Sequence, residues 1–151
     1  MSHFLVKRTG PWLPPTLVVS MLWLPGTLLG VCLGPVVLLH RRLMDDAPSI
    51  EHELVHSRQF WRNGLVLHFL RYWLQPTYRQ AMEVEAFSAE LQNRPLDEYQ
   101  SCLESAASSL ATRYGLRIDI ETAMTALDIR ARDSAAANQP LAAALSQQKT
   151  S

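Results

Sequence analysis

The types and spacing in His52-Glu53-Leu54-Val55-His56 are those of a group that can hold a metal ion and work with it. On a helix, residues i and i+4 stand one above the other, roughly 6 Å apart along the axis, so both imidazoles can reach one ion. Neutral imidazole is a good zinc ligand at about 2.0–2.1 Å, and two on one rigid helix arrive already oriented. Glu53 lies too far round the helix to serve as an equivalent third ligand. It can face a water on the zinc instead, whose pKa the ion lowers to about 7, take its proton and send hydroxide to a polarised carbonyl. Glu53 is therefore the candidate general base of a Zn2+-dependent hydrolase with the HExxH spacing.

Such a site needs a third protein ligand and an open fourth position. The next acid-bearing stretch, Pro76 to Glu90, opens on proline and is filled with alanine, glutamate and glutamine, and it reads as one helix ending near Asn93 before Pro95. Glu83, Ala86, Phe87 and Glu90 fall on one face of it, and small Ala86 lets a partner helix come close. Glu83 is the first choice of ligand and Glu85 the second. His68 competes with both, in the way that a third histidine completes metzincin-like sites. A donor to the developing oxyanion would come from Tyr72, Tyr78, Arg79 or His68, among which the sequence does not choose. Gln59, one turn beyond His56, either hydrogen-bonds in the site or closes its rim.

HExxH in His52-Glu53-Leu54-Val55-His56-Ser57-Arg58-Gln59, followed after a short helical connection by Glu83-Val84-Glu85-Ala86-Phe87, resembles the gluzincin group of zinc metallopeptidases. The resemblance covers about residues 28–92. It implies peptide-bond hydrolysis, a peptide or protein substrate, and His52, His56 and Glu83 as zinc ligands. It also implies an edge strand beside the active-site helix that takes extended substrate by strand addition, expected at Val36–Leu39. In gluzincins the residue four beyond the ligand glutamate is commonly an aspartate supporting a ligand histidine, and here it is Phe87. That departure leaves open a second reading, a metal-binding scaffold that no longer cuts.

Around these residues the chain sets out its elements. Asp45 and Asp46 offer an N-cap and first-turn carboxylates, Pro48 suits the first turn, and Gly64 stops the zinc helix. Gly64 to Gln75 is a short apolar helix closed by Pro76, either well buried or resting on a lipid surface. Leu96 or Asp97 begins a helix ending at Tyr114 before Gly115. Asp119 caps another over Ile120–Arg132. Residues 133–151, rich in alanine, serine and glutamine, read as a mobile tail with transient helix at Leu141–Leu145, which leaves 1–132 as one domain.

From Thr9 to Leu39 no residue is charged. Prolines and glycines cut this run into strand-length pieces, Thr16–Leu24, Thr27–Leu33 and Pro35–His40, with Pro25-Gly26 and Gly34-Pro35 as turns. A small antiparallel sheet or hairpin, a membrane-inserted or re-entrant helix and a secretory leader all compete for it. The expected class is α+β, mainly α: the HExxH helix packed with a glutamate-bearing helix, a small N-terminal sheet and two C-terminal helices. The 151 residues carry 14 basic and 14 acidic side chains, and this balance gives no electrostatic case for nucleic acid or an anionic membrane surface. Cys32 and Cys102 are too few for a disulfide framework. A cytoplasmic protein is expected, with residues 9–39 as the part that could associate with a membrane.

Overall fold

The computed structural model describes residues 4–8, 13–24, 28–114 and 116–148. In chain order come four strands, β1 (Phe4–Arg8), β2 (Pro15–Met21), β3 (Gly30–Cys32) and β4 (Val36–His40), then a short 3-10 turn at Arg41–Leu43. Five helices follow: α1 (Ala47–Asn63), α2 (Leu65–Leu74), α3 (Pro76–Gln92), α4 (Leu96–Arg113) and α5 (Ile120–Gln148). The class is α+β and mainly helical, as expected.

The sheet is mixed, with strand order β1-β2-β4-β3. β1 and β3 pair antiparallel to their neighbours, but the central pair, β2 with β4, is parallel, in the register Val18↔Val37. Val36–Leu39 is therefore an interior strand and not the expected edge. The edge on the side of α1 is β3, because the chain leaving β2 returns along the far side of β4. Alternation places Thr16 and Val18 of β2, and Val37 and Leu39 of β4, on the buried face, where Ile50 and Leu54 of α1 cover them. A buried hydrogen bond of 2.7 Å between the Thr16 and Ser57 hydroxyls fixes α1 along the sheet. The expected Pro25-Gly26 turn lies outside the described residues.

α1 starts as the sequence indicates, with the Asp46 carboxylate accepting from the Ser49 amide at 3.1 Å and Pro48 in the first turn. It stops at Gly64, whose φ of 78° lies in the left-handed region that favours glycine. A second core joins α3, α4 and α5 through Leu91, Leu103, Leu110 and Leu127, with Ala107 and Ala123 letting the helix axes approach. Asp119 caps α5 by accepting from the Thr122 amide. α5 runs past the expected end at Arg132, through residues assigned above to a mobile tail; the alanine-rich composition of 133–148 suits a helix. Gly115 lies outside the described residues. The long α1–α3 contact joins the two cores, and the HExxH residues sit at that seam.

Candidate metal centre

His52 and His56 present their Nε2 atoms 3.3 Å apart. Glu83, from the middle of α3, brings Oε1 to 3.5 Å from His56 Nε2 and Oε2 to 4.0 Å from His52 Nε2. One ligand atom from each residue lies within 4.8 Å of the others, so the three form a group that could hold a metal ion. A tetrahedral ion with bonds of about 2.0–2.1 Å separates its ligand atoms by roughly 3.4 Å, and the observed spacing is of that size. Glu83 is 1 % exposed, and its Oε2 has no hydrogen-bond partner. A carboxylate oxygen left dry is costly, and a cation between the three side chains would satisfy it.

The tautomer of His56 is set by its neighbour. Gln59 is fully buried and donates its amide N–H groups to the Met82 carbonyl at 2.9 Å and to Glu85 Oε2 at 3.2 Å. Its Oε1 must then accept, and it does so from His56 Nδ1 at 2.9 Å, which leaves the Nε2 lone pair aimed at Glu83. Two imidazole nitrogens 3.3 Å apart need a proton on His52 or a shared cation between them.

His52 is held differently. Phe87 packs edge-on against its ring at 4.5 Å between centroids, so the position four beyond Glu83 supplies packing and no charge. The acid comes one turn later, with Glu90 Oε2 3.3 Å from His52 Nδ1. Arg94 fixes Glu90 through a 2.7 Å hydrogen bond and also spans Asp46 with both guanidinium arms, at 2.7 and 2.8 Å. The N-cap of α1 and the C-terminal end of α3 are thus clamped together behind the site. Burial pulls the His52 pKa down, but Glu90, Glu53 and Glu83 outweigh it and hold the imidazole above its ordinary value.

Glu53 reaches toward β3. A methyl group on Gly30 would lie 2.2 Å from Glu53 Oε1, so only glycine leaves this carboxylate its place. Burial raises its pKa, with Glu83 and Glu90 adding to the rise against the pull of His52 and His56. The carboxylate lines a cleft of about 390 Å³ between β3 and α2, together with His52, His56 and Glu83. Cys32 lines it too, but burial pushes its thiol up to about 12, and a neutral thiol is a poor nucleophile. On the other side of Glu53 a second cavity of about 570 Å³ continues along α4 past Ser105, Ser109 and Arg113.

The other candidates are placed as follows. Glu85 points away from the histidines and forms a two-armed ion pair with Arg62, at 3.1 and 2.9 Å. His68 lines the cleft but lies outside the three-residue group, with its Nδ1 2.9 Å from the Tyr78 hydroxyl. Arg79 donates to the Tyr72 carbonyl at the end of α2. Tyr72 donates its hydroxyl to Glu83 Oε1. Tyr114 was not singled out by the sequence, yet it lines both cavities; burial and the Glu83 carboxylate raise its pKa and keep the phenol protonated. Glu90 shares the α3 face of Glu83, a signal that was legible, whereas nothing in the sequence pairs Arg94 with Asp46 or Gly30 with Glu53. Comparisons with protein-family models, with curated proteins and with solved structures find no match for this chain.

Proposed function

We propose that the protein is a zinc-dependent metallopeptidase, with His52, His56 and Glu83 as ligands and Glu53 as general base. The observation that carries this reading is the convergence of three donor atoms, two imidazoles and one carboxylate, on a cleft that a second carboxylate, Glu53, also lines. A zinc ion bound there supplies Lewis acidity for water and carbonyl. Glu53 would take a proton from water on its carboxylate and, from the same place, return it to the leaving amine. Tyr114 and His68, both on the cleft wall, are the available donors to an oxyanion.

A peptide substrate is suggested by β3. Leu33 donates to Val36 and His40 donates to the Leu29 carbonyl, so Leu29, Val31 and Leu33 are the residues bonded to β4. The N–H and C=O groups of Gly30 and Cys32 then point outward from the sheet edge, where an extended peptide can pair with them. Phe87 at the position where the resembling peptidases carry an acid is what favours the rival reading of a scaffold that binds metal without cutting, although Glu90 brings a carboxylate to His52 from one turn later.

Metal analysis of the wild type and of His56→Ala, joined to peptide-library hydrolysis by Glu53→Gln, tests the proposal. Zinc near one equivalent, lost in His56→Ala and kept in a Glu53→Gln protein that no longer cuts, is the expected set. Equal metal in the wild type and His56→Ala removes the site. Zinc and fold with no turnover by the wild type favours the scaffold.

A further inference from the structure

α2 is turned inside out. Two of its three polar residues face the protein: His68 is 6 % exposed and Tyr72 is bonded to Glu83. On the opposite arc Val66, Leu70, Trp73 and Leu74 are each more than half exposed, with Leu67 and Phe69 on the flanks. A surface helix of a globular protein ordinarily does the reverse. α2 cannot roll over, because Tyr72 and His68 are tied to the site and to Tyr78.

A second apolar group borders the same opening. Leu28 and Leu33, each about half exposed, share the cleft walls with Phe69 and Trp73. Met21 pairs with His40, and His40 donates to the Leu29 carbonyl, so Leu22 and Trp23 leave the sheet at the end where Leu28 and Leu29 enter it. Trp23 is 71 % exposed and Trp73 74 %. Exposed tryptophan beside leucine, next to arginine, is the composition of a membrane–water interface.

The balanced net charge conceals a division along the chain. Residues 1–44 and 54–82 hold eight cations and not one carboxylate; of these Arg58 and Arg62 are paired with Glu51 and Glu85, while Arg41 and Arg42, just after His40, are exposed at the end of the sheet where Leu22 and Trp23 leave it. Arg71 lies on α2 itself, exposed beside the apolar stripe. Anionic headgroups complement this surface, whereas a second copy docked face to face would set its arginines against their own kind.

We propose that α2 and the apolar residues before β3 lie in the headgroup region of an anionic lipid bilayer, with the mouth of the cleft turned toward it. Among the described residues no helix is long and apolar enough to cross a membrane, so α2 lies in the plane of the surface. On the peptidase reading, on which this clause alone rests, the substrate is the membrane-proximal stretch of a membrane protein.

Co-sedimentation of the full chain with extruded vesicles tests the proposal, using phosphatidylcholine alone and phosphatidylcholine with about 30 % phosphatidylglycerol. Binding to the anionic vesicles is expected, with a blue shift of tryptophan fluorescence, and weaker binding to the neutral ones. Leu70→Glu/Trp73→Glu, at exposed positions and checked by circular dichroism, is expected to lower partitioning about tenfold or more. Leu70→Gln/Leu74→Gln, which adds no charge, should lower it in the same direction. Glu53→Gln should bind like the wild type, so failure of hydrolysis and failure of membrane binding are read separately. No binding to anionic vesicles overturns the proposal, as does equal binding by the wild type and both α2 variants. Sedimentation equilibrium showing a dimer that the α2 variants dissociate, with no vesicle binding, assigns the face to a second copy instead.

Discussion

Glu90 Oε2 stands 3.3 Å from His52 Nδ1, two helical turns beyond Glu83 on the same face of α3. One helix thus brings a carboxylate to the Nε2 side of each HExxH imidazole and another to the far side of His52. Since a metal-binding histidine depends on the partner of its other nitrogen, Glu90→Gln should weaken metal binding about 10–100-fold with the fold intact. Chelator-competition titration measures this, and unchanged affinity would show that the contact is dispensable.

Gln59 joins His56, the Met82 carbonyl and Glu85 in one buried network. Gln59→Ala leaves several of these groups without partners, and a loss of about 2–4 kcal/mol in urea unfolding is expected at roughly 1–3 kcal/mol per stranded buried group. The His56 ring should also lose its fixed tautomer. Long-range nitrogen–proton NMR would show this as averaged Nδ1 and Nε2 shifts.

Gly30→Ala should separate chemistry from metal binding. Its methyl group intrudes on the Glu53 carboxylate, the free end of a side chain that can swing away, so the fold and the bound metal should survive. A displacement of about 1 Å at a catalytic group costs on the order of 100-fold in rate. Hydrolysis at wild-type levels by Gly30→Ala would mean that Glu53 is not the base.

The Asp46–Arg94 pair carries a pH dependence of known sign. Burial raises the Asp46 pKa, but the Ser49 and Arg94 contacts outweigh it and leave the carboxyl below its ordinary value. Stability from this ionised group is therefore fully present above the unfolded aspartate pKa of about 3.9 and is lost as pH falls through the lower folded value. Asp46→Asn should cost about 1 kcal/mol at pH 7, and the difference from the wild type should close at acid pH below the folded value. A difference that persisted there would assign the effect to the cap's shape and not to its charge.

By itself the sequence determined the local structure that makes a metal site conceivable. An Asp46 cap, a proline in the first turn and a glycine stop define α1, and the i, i+4 spacing puts both histidines on one face, because helix geometry repeats every 3.6 residues. The same periodicity put Glu83 and Glu90 on one face of α3. Which face met His52 and His56 was a matter for the tertiary structure, since Arg62 draws Glu85 away while Tyr72 and the α1–α3 packing hold Glu83 inward. Strand order also depended on it. Val36–Leu39 is β-prone in any sheet, but only long-range pairing makes it interior and leaves β3 at the edge beside Glu53. Amphipathicity likewise left open whether α2 would be buried or would turn its leucines and tryptophan outward. A helical pattern fixes the stripe, and the direction it faces follows from what Tyr72 and His68 bind, through contacts that no local pattern encodes.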